Sequence, residues 1–120
     1  MRFIWRITLS VTFVPLDTGY TSLGCWTDKS NRAIPTLEGS SCFLDGFYTS
    51  RVDAIKKCYE AASLLGYEVF AVQNGGWCAS SSTAKSTYKT YGDSTACMAD
   101  GEGGPWANHV YEITHGTLLI

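Results

Sequence analysis

Trp77 and Trp106 each stand beside glycines, in Asn74-Gly75-Gly76-Trp77 and in Gly103-Gly104-Pro105-Trp106-Ala107-Asn108. An indole ring stacks on the apolar face of a sugar, while the planar amides of Asn74 and Asn108 donate to and accept from its hydroxyls. Glycines at these places let a ligand come close to the backbone. The competing assignment is the core, because a small domain needs large aromatic rings to bury enough area. Trp77, flanked by Cys78, leans further towards the core than Trp106 does, and Trp26, beside Cys25, further still. Tyr88 and Tyr91, three residues apart, join the candidate ligand contacts or else are surface rings. Arg32 is expected to cap a loop or pair with a carboxylate.

Catalytic patterns do not appear in the sequence, so the expectation is a protein that is not an enzyme and uses no cofactor. There is no Gly-x-Ser-x-Gly elbow and no His-Glu-x-x-His, and the Gly101 to Gly104 stretch precedes Pro105 rather than the start of a phosphate-binding helix. Cys78 and His109 would make a thiol–imidazole pair only if Cys78 were not already committed to a disulfide. Asp93, Asp100 and Glu102 are oxygen donors without the spacing of an EF-hand, and are assigned to solvated loops.

Five cysteines, Cys25, Cys42, Cys58, Cys78 and Cys97, contain no Cys-x-x-Cys pair, and His109 and His115 are the only imidazoles. Zinc spacing is therefore absent, and disulfides formed in an oxidising compartment are the better assignment, which puts the chain in a secreted or extracellular-surface setting. An odd count leaves one thiol over. Cys42, in the polar and irregular run from Glu38 to Gly46, is the candidate. With a net charge of −2 and lysines scattered at Lys29, Lys56, Lys57, Lys85 and Lys89, the chain offers no basic face to nucleic acid. No Asn-x-Ser/Thr sequon is present.

These side chains must be positioned by a short succession of elements. Val52, Ile55, Tyr59, Ala62 and Leu65 follow the spacing of one helical face, with Ser50 and Asp53 as a capping box and Gly66 as the stop. Val69-Phe70-Ala71-Val72 then reads as a buried strand, and the glycine turn after it returns Cys78 towards Cys58, which predicts a disulfide between them. Cys25 to Thr27 reads as a first strand, residues 36 to 50 as loop, Ala79 to Lys85 as too polar for core, Thr87 to Gly92 as a single helical turn, and His109 to Ile113 as a closing strand. Residues 1–22 are either a signal peptide or an extra strand. Phe3, Trp5, Ile7, Leu9, Val11 and Phe13 lie on one face over 3–13, with Arg6, Thr8, Ser10 and Thr12 on the other, and the segment is too short and polar to span a membrane. A compact domain spans 23–113, and 114–120 is a tail.

Gly24-Cys25-Trp26-Thr27-Asp28, Arg32-Ala33, the helix bearing Cys58, Gly66-Tyr67, Phe70-Ala71, Gly75-Gly76-Trp77-Cys78 and Val110-Tyr111 together resemble a WSC domain, an extracellular module related to the PAN/apple group. Ser80 stands where that family has a further cysteine, and Cys97 is alone where it has a late pair. The resemblance implies an α+β fold, one helix packed on a small, curved, loop-rich antiparallel sheet stapled by disulfides. The reduced cysteine set then leaves Cys25 to pair with Cys97. It also implies a carbohydrate or a glycosylated protein as partner. The alternative is a structural subunit of an extracellular assembly that pairs through strand 3–13, with Cys42 as a possible cross-link.

Overall fold

The computed structural model describes residues 19–115, so the strand expected at 3–13 and the last five residues of the tail lie outside the described residues. Four strands, β1 (Tyr20–Thr27), β2 (Val69–Gln73), β3 (Trp77–Ser80) and β4 (Ala107–Ile113), form one antiparallel sheet in the order β1-β4-β2-β3. A helix, α1 (Ala54–Leu64), packs against β2 and β3, and a single-turn helix, α2 (Ala84–Thr87), touches β2. The α+β architecture of one main helix on a small disulfide-stapled sheet is thus the one that forms. No described helix is long and apolar enough to cross a membrane.

The centre of the sheet is apolar on both faces, which explains why the Val69 run lacks alternation. Phe70 and Val72 join Cys58, Ala61, Ala62, Cys78 and Tyr111 beneath α1. Val69 and Ala71 face the other way, with Ile34, Ala79, Ala84 and Val110. All five residues of β2 are consequently buried. A strand enclosed on both faces reads as a continuous hydrophobic run.

The start of α1 differs from the expected capping box. Ser50 closes a 3-10 turn, Tyr48–Ser50, where its hydroxyl donates to the Phe47 carbonyl, and Asp53 enters the helix at φ +53° without capping it through its side chain. Val52 therefore precedes the helix and is 70% exposed, and the buried stripe is Ala54, Cys58, Ala61 and Ala62. Three of these four are alanines, whose small side chains permit a close approach of helix to sheet. At the other end the expectation holds. Gly66, at φ +78°, donates to Ser63, and Tyr67 donates to Ala62, the double hydrogen bond of a Schellman stop.

Two disulfides, Cys58–Cys78 and Cys25–Cys97, join the expected pairs, and Cys42 is free and exposed. Such bonds persist in oxidising compartments. The first strand begins at Tyr20, earlier than the Cys25 start and the domain boundary at 23, and a bulge between Ser22 and Gly24 lets its two halves keep pairing with β4. Ala79 and Ser80, assigned to a polar loop, are buried in β3. The Ser80 hydroxyl donates to Val69 and its amide to Pro35, so its burial leaves no polar group unpaired. The helical turn expected from Thr87 is displaced to α2, and Tyr88 to Gly92 form the turn that follows it.

Candidate functional site

Antiparallel pairing brings four chain segments to one end of the sheet. Gln73, the last residue of β2, is paired with Trp77 at the start of β3 and with Asn108 near the start of β4, while Thr27 at the end of β1 is paired with Ala107. Trp77 follows a tight turn in which Asn74 has φ +51° and Gly76 donates to the Gln73 carbonyl. A Cβ on Gly76 would lie 2.4 Å from the Tyr48 carbonyl, so only glycine lets this turn press on the 3-10 segment and bring Tyr48 alongside. Trp106 has φ +54°, and its carbonyl accepts the Asp28 amide, which ties the loop before β4 to the end of β1.

Arg32 stands between the two tryptophans. Its Cζ lies 4.3 Å from the Trp77 ring centroid and 4.6 Å from that of Trp106. A cation at this range is attracted by the π face of an indole, by about 0.5–1 kcal/mol at an exposed site and about 2 kcal/mol when desolvated. Nη1 donates to Asp28 Oδ2 at 2.8 Å, and the Asp28 side chain is completely enclosed. Asp28 also accepts from the Ala33 amide and from Gln73 Nε2, each at 2.9 Å, and Gln73 Nε2 donates to Asn108 Oδ1 at 2.8 Å. A buried polar chain, Arg32–Asp28–Gln73–Asn108, thus underlies the rings. Burial pushes the Asp28 carboxyl up, but hydrogen bonds from Ala33, Arg32, Gln73 and Lys29 outweigh it and hold the group below its ordinary 3.8. It is a carboxylate at neutral pH.

Above this chain lies an open cleft of about 240 Å³, walled by Trp77, Trp106 and Pro105 and bordered by Arg32, Tyr48, Gln73 and Asn74. Trp106 is 51% exposed, a large apolar area for a residue so near a core. A second depression, of about 390 Å³, adjoins the cleft across Asn74 and Pro105 and is lined by Thr49, Gly75, Met98 and Asp100 among others. The cleft therefore brings together two indoles, the Asn74 amide, a phenol and one guanidinium, over a Gln73 whose Nε2 already donates to Asp28 and Asn108. Among the described residues no carboxylate, thiol or imidazole lines it.

Trp77, Trp106 and Asn74, singled out from the sequence, meet in this cleft. Asn108 does not line it: the residue is fully buried behind Gln73, and its Nδ2 has no hydrogen-bond partner among the described residues. Tyr88 and Tyr91 also stand apart. Tyr88 packs edge-on against Trp26, and the Tyr91 hydroxyl donates to the Asn31 carbonyl with the Lys29 ammonium 4.9 Å from its ring. Both rings lean on the core cluster containing Val69 and Ala71, as Trp26 and Trp77 do. Arg32 pairs with a carboxylate as expected, but its place between the indoles, and the contributions of Gln73, Tyr48 and Pro105, were not foreseen. The Asp28–Arg32 spacing was the one local signal available.

A second cluster lies on β1 and β4. Ser22 Oγ and His109 Nε2 are 2.9 Å apart, the imidazole stacks on Tyr111 at 4.7 Å, and its Nδ1 is buried with no partner among the described residues. Ser22 Oγ also accepts the Gly24 amide, which assigns it to shaping the bulge. Among the described residues no three His, Cys, Asp or Glu side chains are grouped to hold a metal ion.

Burial lowers the His109 pKa below its ordinary 6.5, against a smaller opposing effect of Asp100. Protons then bind the unfolded chain more readily than the folded one. The contribution of His109 is fully present above pH 6.5 and is lost as pH falls below that value towards the folded pKa. The urea midpoint is expected to fall between pH 7 and pH 5, and His109→Gln to flatten that slope; an unchanged slope in the variant contradicts the assignment.

No family model, curated protein or solved structure matches this chain.

Proposed function

We propose that this chain is a non-enzymatic recognition module, secreted or held at a cell surface, that binds a carbohydrate or a glycosylated partner in the Trp77–Trp106 cleft. The observation that carries this reading is the convergence of two indoles with Asn74 and Gln73 around one shallow opening. Stacking surfaces flanked by amides are what a sugar ring, apolar on its faces and polar at its edge, requires. At about 240 Å³ the cleft falls below the roughly 300–1,000 Å³ of pockets that enclose drug-sized ligands. Such an opening suits a ring laid against a surface better than a cofactor swallowed whole. The WSC resemblance and the two disulfides support the same setting.

The test is a glycan-array screen of the purified chain beside Trp106→Ala and Trp77→Ala. Trp106 is half exposed, so its removal is expected to leave the fold intact and weaken glycan binding by about thirtyfold, as for a central aromatic anchor. Trp77 also packs on the core, so its variant needs a melting curve beside its binding curve. A folded wild-type chain that binds no glycan sinks the reading, and elution as a large assembly would direct attention to residues 3–13 instead.

A further inference from the structure

We infer that the cleft selects a glycan carrying one acidic group, a uronate carboxylate or a sulfate ester, flanked by neutral units, with Arg32 as the residue that reads the acid. This rests on the assignment of the cleft to sugar and names the class of sugar.

Arg32 is the only charged side chain among the described residues bordering the cleft, and its side chain is 33% exposed. Among the described residues only Nη1 hydrogen-bonds a protein atom, so the remaining N–H donors of the fork have no protein acceptor. The guanidinium is held from three directions, by Asp28 beneath and by an indole on each side. A planar fork fixed in this way is pre-organised for the two oxygens of a carboxylate or sulfate. Asp28 is enclosed and already accepts hydrogen bonds from Arg32, Ala33 and Gln73, so it balances the charge of Arg32 without facing the ligand.

The limit to a single acid comes from what surrounds the cleft. Asp100 lines the adjoining depression and Glu102 lies two residues beyond it, where the Glu102 amide donates to Asp100. The whole chain carries −2. A polymer charged at every unit would meet these carboxylates as soon as it extended past Asn74 and Pro105. A neutral neighbouring unit would instead meet Met98, Thr49 and glycine backbone. Because the Arg32–Asp28 pair is neutral as a whole, recognition is by fixed hydrogen bonds more than by a field. Salt is therefore expected to weaken it far less than it weakens binding to a basic patch.

The experiment is a glycan array of matched sets, each backbone present as a neutral, a singly uronate-bearing, a singly sulfated and a uniformly acidic member. The leading hits are then titrated by tryptophan fluorescence in low and in physiological salt. Singly acidic members are expected to bind about tenfold tighter than their neutral counterparts, the scale of one charge-assisted contact, and the two acid arms show which oxyanion fits. The double variant Asp28→Asn/Arg32→Gln removes both charges together, so no buried carboxylate is stranded, and it is expected to erase the difference between neutral and singly acidic glycans. Arg32→Lys, which keeps the charge but not the fork, is expected to lose most of it. Equal binding of neutral and acidic members overturns the inference and leaves the sugar assignment standing, as does affinity that rises with every added acid. A folded chain that binds no member of any set removes both.

Discussion

Replacing Cys25 and Cys97 together with alanine is expected to lower the free energy of unfolding by about 4 kcal/mol, and replacing Cys58 and Cys78 by about 3 kcal/mol. The order follows from chain length, since the first bond joins residues 72 apart and the second residues 20 apart. A cross-link restricts the unfolded ensemble roughly as the logarithm of the loop it closes, so the wider loop gives the larger effect. A small domain has only about 5–15 kcal/mol in total, and either loss is a large part of it. The Cys25–Cys97 bond also fixes the segment that carries Trp106. In its absence the approach to β4 is held by backbone contacts such as Ser94 to Cys25 and Met98 to Gly103. Gly103 at φ +74° leaves no slack there, because a Cβ would come within 2.3 Å of the Val72 carbonyl. Denaturant titrations of the two double variants, with glycan binding measured on each, check the argument. Equal stabilities for wild type and the Cys25/Cys97 variant would defeat it, and a binding loss confined to that variant would show that the bond positions Trp106.

What could be read from the sequence was what depends on near neighbours. The strand at Val69 is a run of apolar residues, and the stop at Gly66 needs only a residue free to adopt positive φ, so the return of Cys78 to Cys58 followed from local rules. The beginning of α1 failed for the opposite reason. The Ser50 and Val52 spacing fits a helix, but Ser50 is captured by Phe47 in a 3-10 turn, and no periodicity reports that competition. Ser80 misled in the same way, since its burial depends on the distant Val69 and Pro35 carbonyls. The site divides along this line. Glycine adjacency marked Trp77, Trp106 and Asn74, whereas Gln73 reaches them through strand register and Arg32 through its bond to a buried aspartate. Tyr88 and Tyr91 had suitable chemistry and adjacency in sequence, but the turn after α2 sets them against Trp26, Asn31 and the core.

Arg51→Met is expected to cost about 3–5 kcal/mol, the loss found when one partner of a buried ion pair is removed. The Arg51 side chain is completely enclosed, and its fork meets both oxygens of Glu38 at 2.7 and 2.9 Å. The same guanidinium donates to the carbonyls of Asp45 and Gly76 at 2.9 and 2.7 Å. Hydrogen bonding to Glu38 raises its pKa above the usual guanidinium range against the effect of burial, so the charge persists throughout the working pH range. Methionine fills comparable space but leaves Glu38 without its cation and the carbonyls of Asp45, Gly46 and Gly76 without this donor. The effect extends to the cleft, because Gly76 precedes Trp77 and Glu38 Oε2 also accepts the Cys78 amide. Arg51 therefore holds the loop from Glu38 to Ser50 against the turn that presents Trp77. A double-mutant cycle with Glu38→Gln separates the pair from its surroundings: the double variant is expected to recover part of the loss, since no uncompensated carboxylate remains. A coupling near zero would mean that the two side chains act independently. A stable Arg51→Met chain that binds glycan as well as wild type would show that the Trp77 turn keeps its place without this support.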